Sequence, residues 1–172
     1  MTRESRLRDF QEALARRIRE AAHSEATLRL GLQAGDGLYL MPLEQAGEVL
    51  PVPEISAVPL ARAWFLGLDN VRGNLVSVVD FASFMGEQAT VLSAQARLVL
   101  LADRFGAHCA LLVSRTLGLK NLGSFEPREL APASPWIVAA HAERSDEAKV
   151  RTWFELDIGA LAAHETFLQA GL

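Results

Sequence analysis

Leu7, Phe10, Leu14, Ile18 and Ala21 recur at spacings of three and four among Arg, Glu and Gln. That is the period of an amphipathic helix. Neither glycine nor proline occurs up to Ser24, and the spacing predicts a helix over residues 1–25. Its apolar stripe has to cover something: the chain's own body, a partner's helix, or a second copy of the protein.

After Ser24 the period changes from helical to alternating. In "TLRLGLQA" Leu28, Leu30 and Leu32 alternate with Arg29, Gly31 and Gln33, as in a half-buried strand. "GDG" at 35–37 suits a tight turn and "LYLMPL" returns, which predicts a hairpin. "AGEVL" continues extended to Leu50, where Pro51, Pro53 and Pro59 mark a connecting loop. A second hairpin is expected in "ARLVLLADRFGAHCALLV", turning at Asp103–Gly106, and a second proline-bearing loop spans 121–135. "WIVAAHAE", the polar turn "RSDEAK" and "VRTWFELD" predict a third hairpin. The tail "IGALAAHETFLQAGL" reads as helical, with Ile158, Leu161, Ala162 and Leu168 near one face.

The two halves follow one order of events: hairpin, extended arm, proline loop, then a strand ending in aspartate before an apolar pair. The endings are "VVDFASF" at 78–84 and "FELDIGAL" at 154–161. This weak repeat predicts a mainly β chain made of two similar subdomains, small barrels or a sandwich.

Composition narrows the function. Half of the 172 residues are hydrophobic, enough for a sizeable core, and the net charge of -4 argues against a general nucleic-acid binder. Cys109 is the sole cysteine, so no intramolecular disulfide forms. The charged N-terminus does not read as a signal peptide, and no run reaches the roughly 20 apolar residues of a membrane span. A soluble, cytoplasmic protein is expected.

Candidate chemistry is sparse. Asp80 ends an apolar strand, as a Mg²⁺-holding aspartate would, but no phosphate loop "GxxxxGK[ST]" accompanies it. The local reading is a helix cap for Phe81, Phe84 and Met85, stopped by Gly86. Cys109 adjoins His108, yet neighbours in a strand face opposite ways, so a small core residue is the simpler reading. His23, His108, His141 and His164 are scattered without metal-ligand spacing, and Asp146–Glu147 fall in a polar turn. No cofactor or metal site is expected. Arg72 remains, in "GLDNVRGN" between the turn formers Asn70 and Gly73. It either grips a partner's carboxylate or pairs internally with an acid such as Glu48 or Asp69.

The ordered set "GEVLPVPEISAVP…FLGLDNVRGNLVSVVDF" resembles the CheW-like domain of bacterial chemotaxis adaptors. The features that carry this are Glu48-Val49, the loop from Pro51 to Pro59, Gly67 to Gly73, and the apolar strand from Leu75 to Asp80. "DNVRGN", "AWFLG" and the N-terminal helix look closest to the PilI-like branch, which serves type IV pilus twitching systems. The resemblance covers about residues 26 to 165, between the added helix 1–25 and a tail 166–172. It implies two small five-stranded SH3-like barrels, to which the residue pattern adds the C-terminal helix. It implies no catalysis. The implied partners are the cytoplasmic tip of a methyl-accepting chemoreceptor and the CheW-like regulatory domain of a CheA-type histidine kinase, in receptor arrays at the membrane. Asn70, Val71, Arg72 and Gly73 would lie near a receptor-binding groove between barrels. Glu48, Val49 and Leu50 would lie on an arm facing kinase or receptor. In the second half Ala139-Ala140 stand where the family has a glycine opening its last hairpin.

Two other classes compete with this adaptor. A small β-barrel enzyme would use Cys109 or Asp80 and needs one of them exposed in a pocket. A self-assembling structural module would associate through the N-terminal helix.

Overall fold

The computed structural model of the chain describes residues 27–130, 134–144 and 150–171. The N-terminal helix with His23, and the polar turn holding Asp146–Glu147, lie outside these residues. Eleven strands and three short helices are described, in two sheets.

The first hairpin joins β1 (Leu28–Ala34) to β2 (Gly37–Pro42), with Ala34 opposite Gly37. Gly35, at φ +55, takes the left-handed position its two-residue turn needs. A turn at Leu43–Gln45 then sends the chain into the other sheet as β3 (Ala46–Pro51). There β4 (Phe65–Val71) and β5 (Asn74–Asp80) form a hairpin, followed by the single-turn α1 (Phe81–Phe84). The next hairpin, β6 (Arg97–Leu101) and β7 (Cys109–Val113), completes this sheet in the order β3-β6-β7-β5-β4. The chain crosses back for β8 (Arg115–Asn121), β9 (Glu126–Arg128), β10 (Ile137–Arg144) and β11 (Val150–Leu156). The resulting order is β8-β1-β2-β11-β10-β9.

Each half of the sequence therefore lends its first hairpin to one sheet and its remaining strands to the other. The expected five strands are found in the second sheet. The first gains a sixth, the three-residue β9 out of the second proline loop, and Pro127 sits on this edge strand, where a missing N–H is tolerated.

The repeat recognised in sequence is a repeat in space. β5 runs parallel to β7, and β11 parallel to β2. The Asp80 N–H donates to the Trp64 carbonyl at 2.8 Å, and the Asp157 N–H to the Trp136 carbonyl, also at 2.8 Å. Phe65 opposite Val79 corresponds to Ile137 opposite Leu156, with an irregularity in the pairing just after each. Gly67 then corresponds to Ala139. Gly67 has φ +137, and a Cβ there would stand 2.1 Å from the Ser56 carbonyl oxygen. Ser56 exchanges two backbone hydrogen bonds of 2.9 Å with Leu68, lacing the first proline loop to β4. Ala139 keeps a negative φ, which is why alanine fits where the first half needs glycine.

The main core lies between the sheets, with Leu32, Tyr39 and Met41 from one and Val79, Val99 and Leu111 from the other. A smaller aliphatic cluster including Val78, Leu98 and Leu112 covers the far face of the second sheet. With both faces of β7 buried, its sequence "CALLV" is continuously apolar rather than alternating. The far face of the first sheet holds Leu40, Phe125 and Trp153, but also charge. Both the Nε and Nη2 of Arg29 reach Glu155 Oε1 at 2.8 Å, and His141 Nε2 lies 2.9 Å from Glu155 Oε2. By strand pairing these positions correspond to Leu98 and Val78 in the other half. Beside them Glu143 accepts hydrogen bonds from Lys120, Arg151 and the Trp153 indole. Burial pulls the Glu143 pKa upward, but Lys120, Arg151 and Trp153 outweigh it and hold the carboxyl below the usual glutamate range.

The tail departs from the expected single face. His164 is extended, splitting it into α2 (Ile158–Ala163) and α3 (Glu165–Leu168). Ile158, Leu161 and Ala162 are buried as expected. Leu168 is 63% exposed, and Phe167 takes the inward place, stacked on Trp64 and edge-on to Phe84. The Arg62 N–H donates to the Ala170 carbonyl at 2.8 Å, strapping the tail across the start of β4.

Candidate functional site

Arg72 and Gly73 form the two-residue turn of the β4–β5 hairpin, with φ +53 and +87. Positive φ at both central residues is the type I′ form of a two-residue turn, which glycine accepts and arginine pays for. Asn70 Oδ1 accepts the Gly73 N–H at 2.7 Å and locks the turn. Arg72 Nη2 reaches Glu48 Oε1 at 2.6 Å across to β3, with side-chain exposures of 74% and 37%. Of the two internal acids considered, Glu48 is therefore the partner. So exposed a pair contributes about 0–1 kcal/mol to the fold, and the guanidinium remains available to an outside carboxylate.

The hairpin separates two recesses. Its Asn74–Val76 face, with Gly47, Glu48, Val71, Arg72 and the turn at Asp103, lines a mixed polar cleft of about 550 Å³. The opposite face, with Leu75, Ser77 and Val79, lines a groove of about 450 Å³. Phe65 and Leu68 extend that groove along β4, and Phe167, Leu168 and Ala170 close it from the tail. Leu75 is 62% exposed at its rim. Three of the candidate residues, Glu48, Val71 and Arg72, thus share one cleft. Val49 points outward from the edge strand β3, and Leu50 packs inward on the second-sheet cluster.

The apolar groove is the part sequence reasoning missed. Leu75 belongs to the apolar strand from Leu75 to Asp80, and the helical spacing puts Leu168 on one face with Ile158, Leu161 and Ala162; both are exposed in the structure. The break at His164 changes the helical phase and turns Phe167 rather than Leu168 inward.

The catalytic alternatives fare badly on geometry. Asp80 is 1% exposed, and its carboxylate accepts the Thr90 N–H at 2.8 Å and the Thr90 hydroxyl at 2.7 Å, with the Ser83 N–H at 3.5 Å. Asp157 likewise accepts the Ala160 N–H at 3.0 Å. Both aspartates hold a helix start. Cys109 borders both recesses but is only 7% exposed, and burial pushes its thiol pKa up to about 12, which disfavours the thiolate. Among the described residues no three His, Cys, Asp or Glu side chains converge as a metal would require, and no helix is long and apolar enough to cross a membrane.

Two sheets that share strands from both halves of the chain thus carry an exposed arginine turn, with a recess on each face of its hairpin. The chain belongs to the CheW-like domain family: the family model matches residues 29–166. This is a family of non-catalytic, chemotaxis-type scaffolds. The chain is 28% identical over 149 residues to Protein PilI of Pseudomonas aeruginosa, an alignment spanning 83% of this chain and 79% of that one. Its fold is similar to that of the scaffolding protein TtCheW from Thermoanaerobacter tengcongensis. The TM-score is 0.61 at 17% identity, covering 77% of this chain and 89% of that one.

Proposed function

We propose that this protein is an adaptor coupling the cytoplasmic tip of a methyl-accepting chemoreceptor to the CheW-like regulatory domain of a CheA-type histidine kinase. Its output is type IV pilus twitching or chemotaxis, and it works in the cytoplasm, recruited to receptor arrays at the membrane. In this reading residues 26–165 are the adaptor domain, each sheet curling into an SH3-like barrel, with 1–25 and 166–172 as additions.

The observation that carries the reading is the β4–β5 hairpin with a recess on each face. A receptor tip is a helical hairpin, and the apolar groove beside Leu75 offers a floor for its apolar stripe. Asn70, Val71, Arg72 and Gly73 stand at the hairpin's end, where the guanidinium can hold a receptor carboxylate with two parallel hydrogen bonds. Glu48 and Val49, on the edge strand β3, face the kinase domain or the receptor, and Leu50 anchors that strand from within. The strain accepted at Arg72 supports a role outside the fold, because the internal pair to Glu48 contributes so little.

A pull-down from cell lysate tests this, comparing wild type with Arg72→Glu, both shown to be folded by circular dichroism. Wild type should retain a receptor and a histidine kinase, and the charge reversal should lose the receptor. Equal retention by both would remove Arg72 from the site, and retrieval of neither partner by wild type would remove the adaptor assignment.

A further inference from the structure

A helix of four residues cannot hold itself together in water, so α3 stays in place only through what grips it. The Arg62 N–H donates to the Ala170 carbonyl at 2.8 Å, Arg62 Nε donates to the Gln169 carbonyl at 3.0 Å, and Ala61 bridges to Gly171. Phe167 is 7% exposed in a socket of rings, stacked on Trp64 with centroids 6.4 Å apart and edge-on to Phe84 at 5.3 Å. Gln169 Nε2 donates to Glu165 Oε1 at 2.7 Å and closes the turn on its outer side. Anchored in this way, the tail still leaves Leu168 63% exposed on one wall of the apolar groove, with Leu75 at 62% on the hairpin wall. A single exposed leucine calls for no explanation. Two that line one groove, one of them on an anchored strap, do.

We propose that the tail is the element that selects the partner helix: Leu168 binds it, and Phe167 positions Leu168. The occupant is the apolar stripe of the receptor-tip helix, so the inference rests on the adaptor reading above. Among the described liners Ser77, His108 and the buried Cys109 carry the hetero atoms, and none is a Lys, Arg, Asp or Glu. An occupant therefore buries apolar side chains here, and a charged one would find nothing to pair with. A helix meets that demand with side chains at i, i+3 or i+4 and i+7, and Leu75 and Leu168 take hold of them from two walls.

The walls differ in origin. The hairpin wall lies inside the stretch that matches the family, which ends at residue 166, whereas Phe167, Leu168 and Ala170 follow it. The tail wall is thus an addition to the matched domain. A change of side chain there alters which helix fits while the hairpin stays as it is.

A double-mutant cycle in the full chain tests both roles, with binding to an immobilised soluble receptor-tip hairpin as the readout. Leu168→Glu should weaken binding by about tenfold or more and leave thermal unfolding close to wild type, since the side chain is exposed. Leu168→Met should keep most of the affinity. Phe167→Ala should weaken binding as well, and adding Leu168→Glu to it should weaken binding no further, because the two act as a unit. Should Phe167→Ala not fold, Phe167→Leu takes its place in the cycle. Without any partner, amide exchange at Arg62 should speed up in the Phe167 variant and stay unchanged in Leu168→Glu. Wild-type binding that survives Leu168→Glu would overturn the proposal and leave the adaptor reading standing. Effects that multiply in the double variant, or unchanged exchange at Arg62 in the Phe167 variant, would overturn the positioning role. A wild-type protein that binds no receptor tip would overturn the adaptor reading and this occupant together.

Discussion

Replacing Arg72 by glycine separates what the hairpin turn needs from what a partner needs. Three contributions set the effect on stability. Relief of the left-handed conformation favours the glycine variant by about 1–2 kcal/mol. The extra chain entropy of glycine costs it about 0.5–1 kcal/mol. Loss of the exposed pair to Glu48, at 74% and 37% side-chain exposure, costs a further 0–1 kcal/mol or so. The sum lies between about −1 and +1.5 kcal/mol, which keeps Tm within about 6 °C of wild type for a chain of this size. Thermal and urea unfolding followed by circular dichroism would measure it, with receptor retention assayed on the same preparation. Near-native stability with lost retention is the expected result. A loss of more than about 2 kcal/mol would mean that Arg72 serves the fold, refuting the reasoning.

Other substitutions probe the frame that positions the site. Gly67→Ala drives a Cβ into the Ser56 carbonyl and breaks the lacing of the proline loop; strain and two lost hydrogen bonds should cost about 2–5 kcal/mol in urea unfolding, and a cost under about 0.5 would contradict that account. Glu155→Ala leaves Arg29 and His141 facing each other without their shared carboxylate. A loss of about 3–5 kcal/mol is expected, and one below about 1 would show the cluster to be well solvated. The depressed Glu143 contributes stability that is complete above the ordinary glutamate pKa and is lost as pH falls through its lower folded value. The stability gap between wild type and Glu143→Gln should therefore shrink as pH falls through and below the ordinary glutamate range, and a constant gap would speak against the ion cluster.

Much of the frame was legible in the chain because its signals are local. Alternating leucines, "GDG" and the aspartate endings mark three of the hairpins and the Asp80 cap without knowledge of their surroundings, while the Asp157 cap and the β4–β5 hairpin emerge only in the structure. The sharing of strands between sheets was not legible: pairing β5 with β7 and β11 with β2 joins segments distant in sequence, and both faces of β7 look alike as "CALLV". Arg72 was visible as a turn arginine, and Glu48 as one of two acids it could reach; only the fold of β3 beside the hairpin chose between them. The apolar groove was hidden for a similar reason. Leu75 and Leu168 are ordinary core residues by type, and their exposure follows from the tail breaking at His164 and strapping across the start of β4.

The most direct measurement of the central claim is a bridging assay with purified parts. A soluble receptor-tip hairpin is immobilised, and the CheW-like regulatory domain of the cognate kinase is passed over it with and without this protein. The kinase domain should be retained only when the protein is present, and Leu75→Glu should abolish retention while leaving the protein's direct binding to the kinase domain intact. Retention independent of this protein, or unaffected by Leu75→Glu, would contradict an adaptor that grips the receptor through the groove.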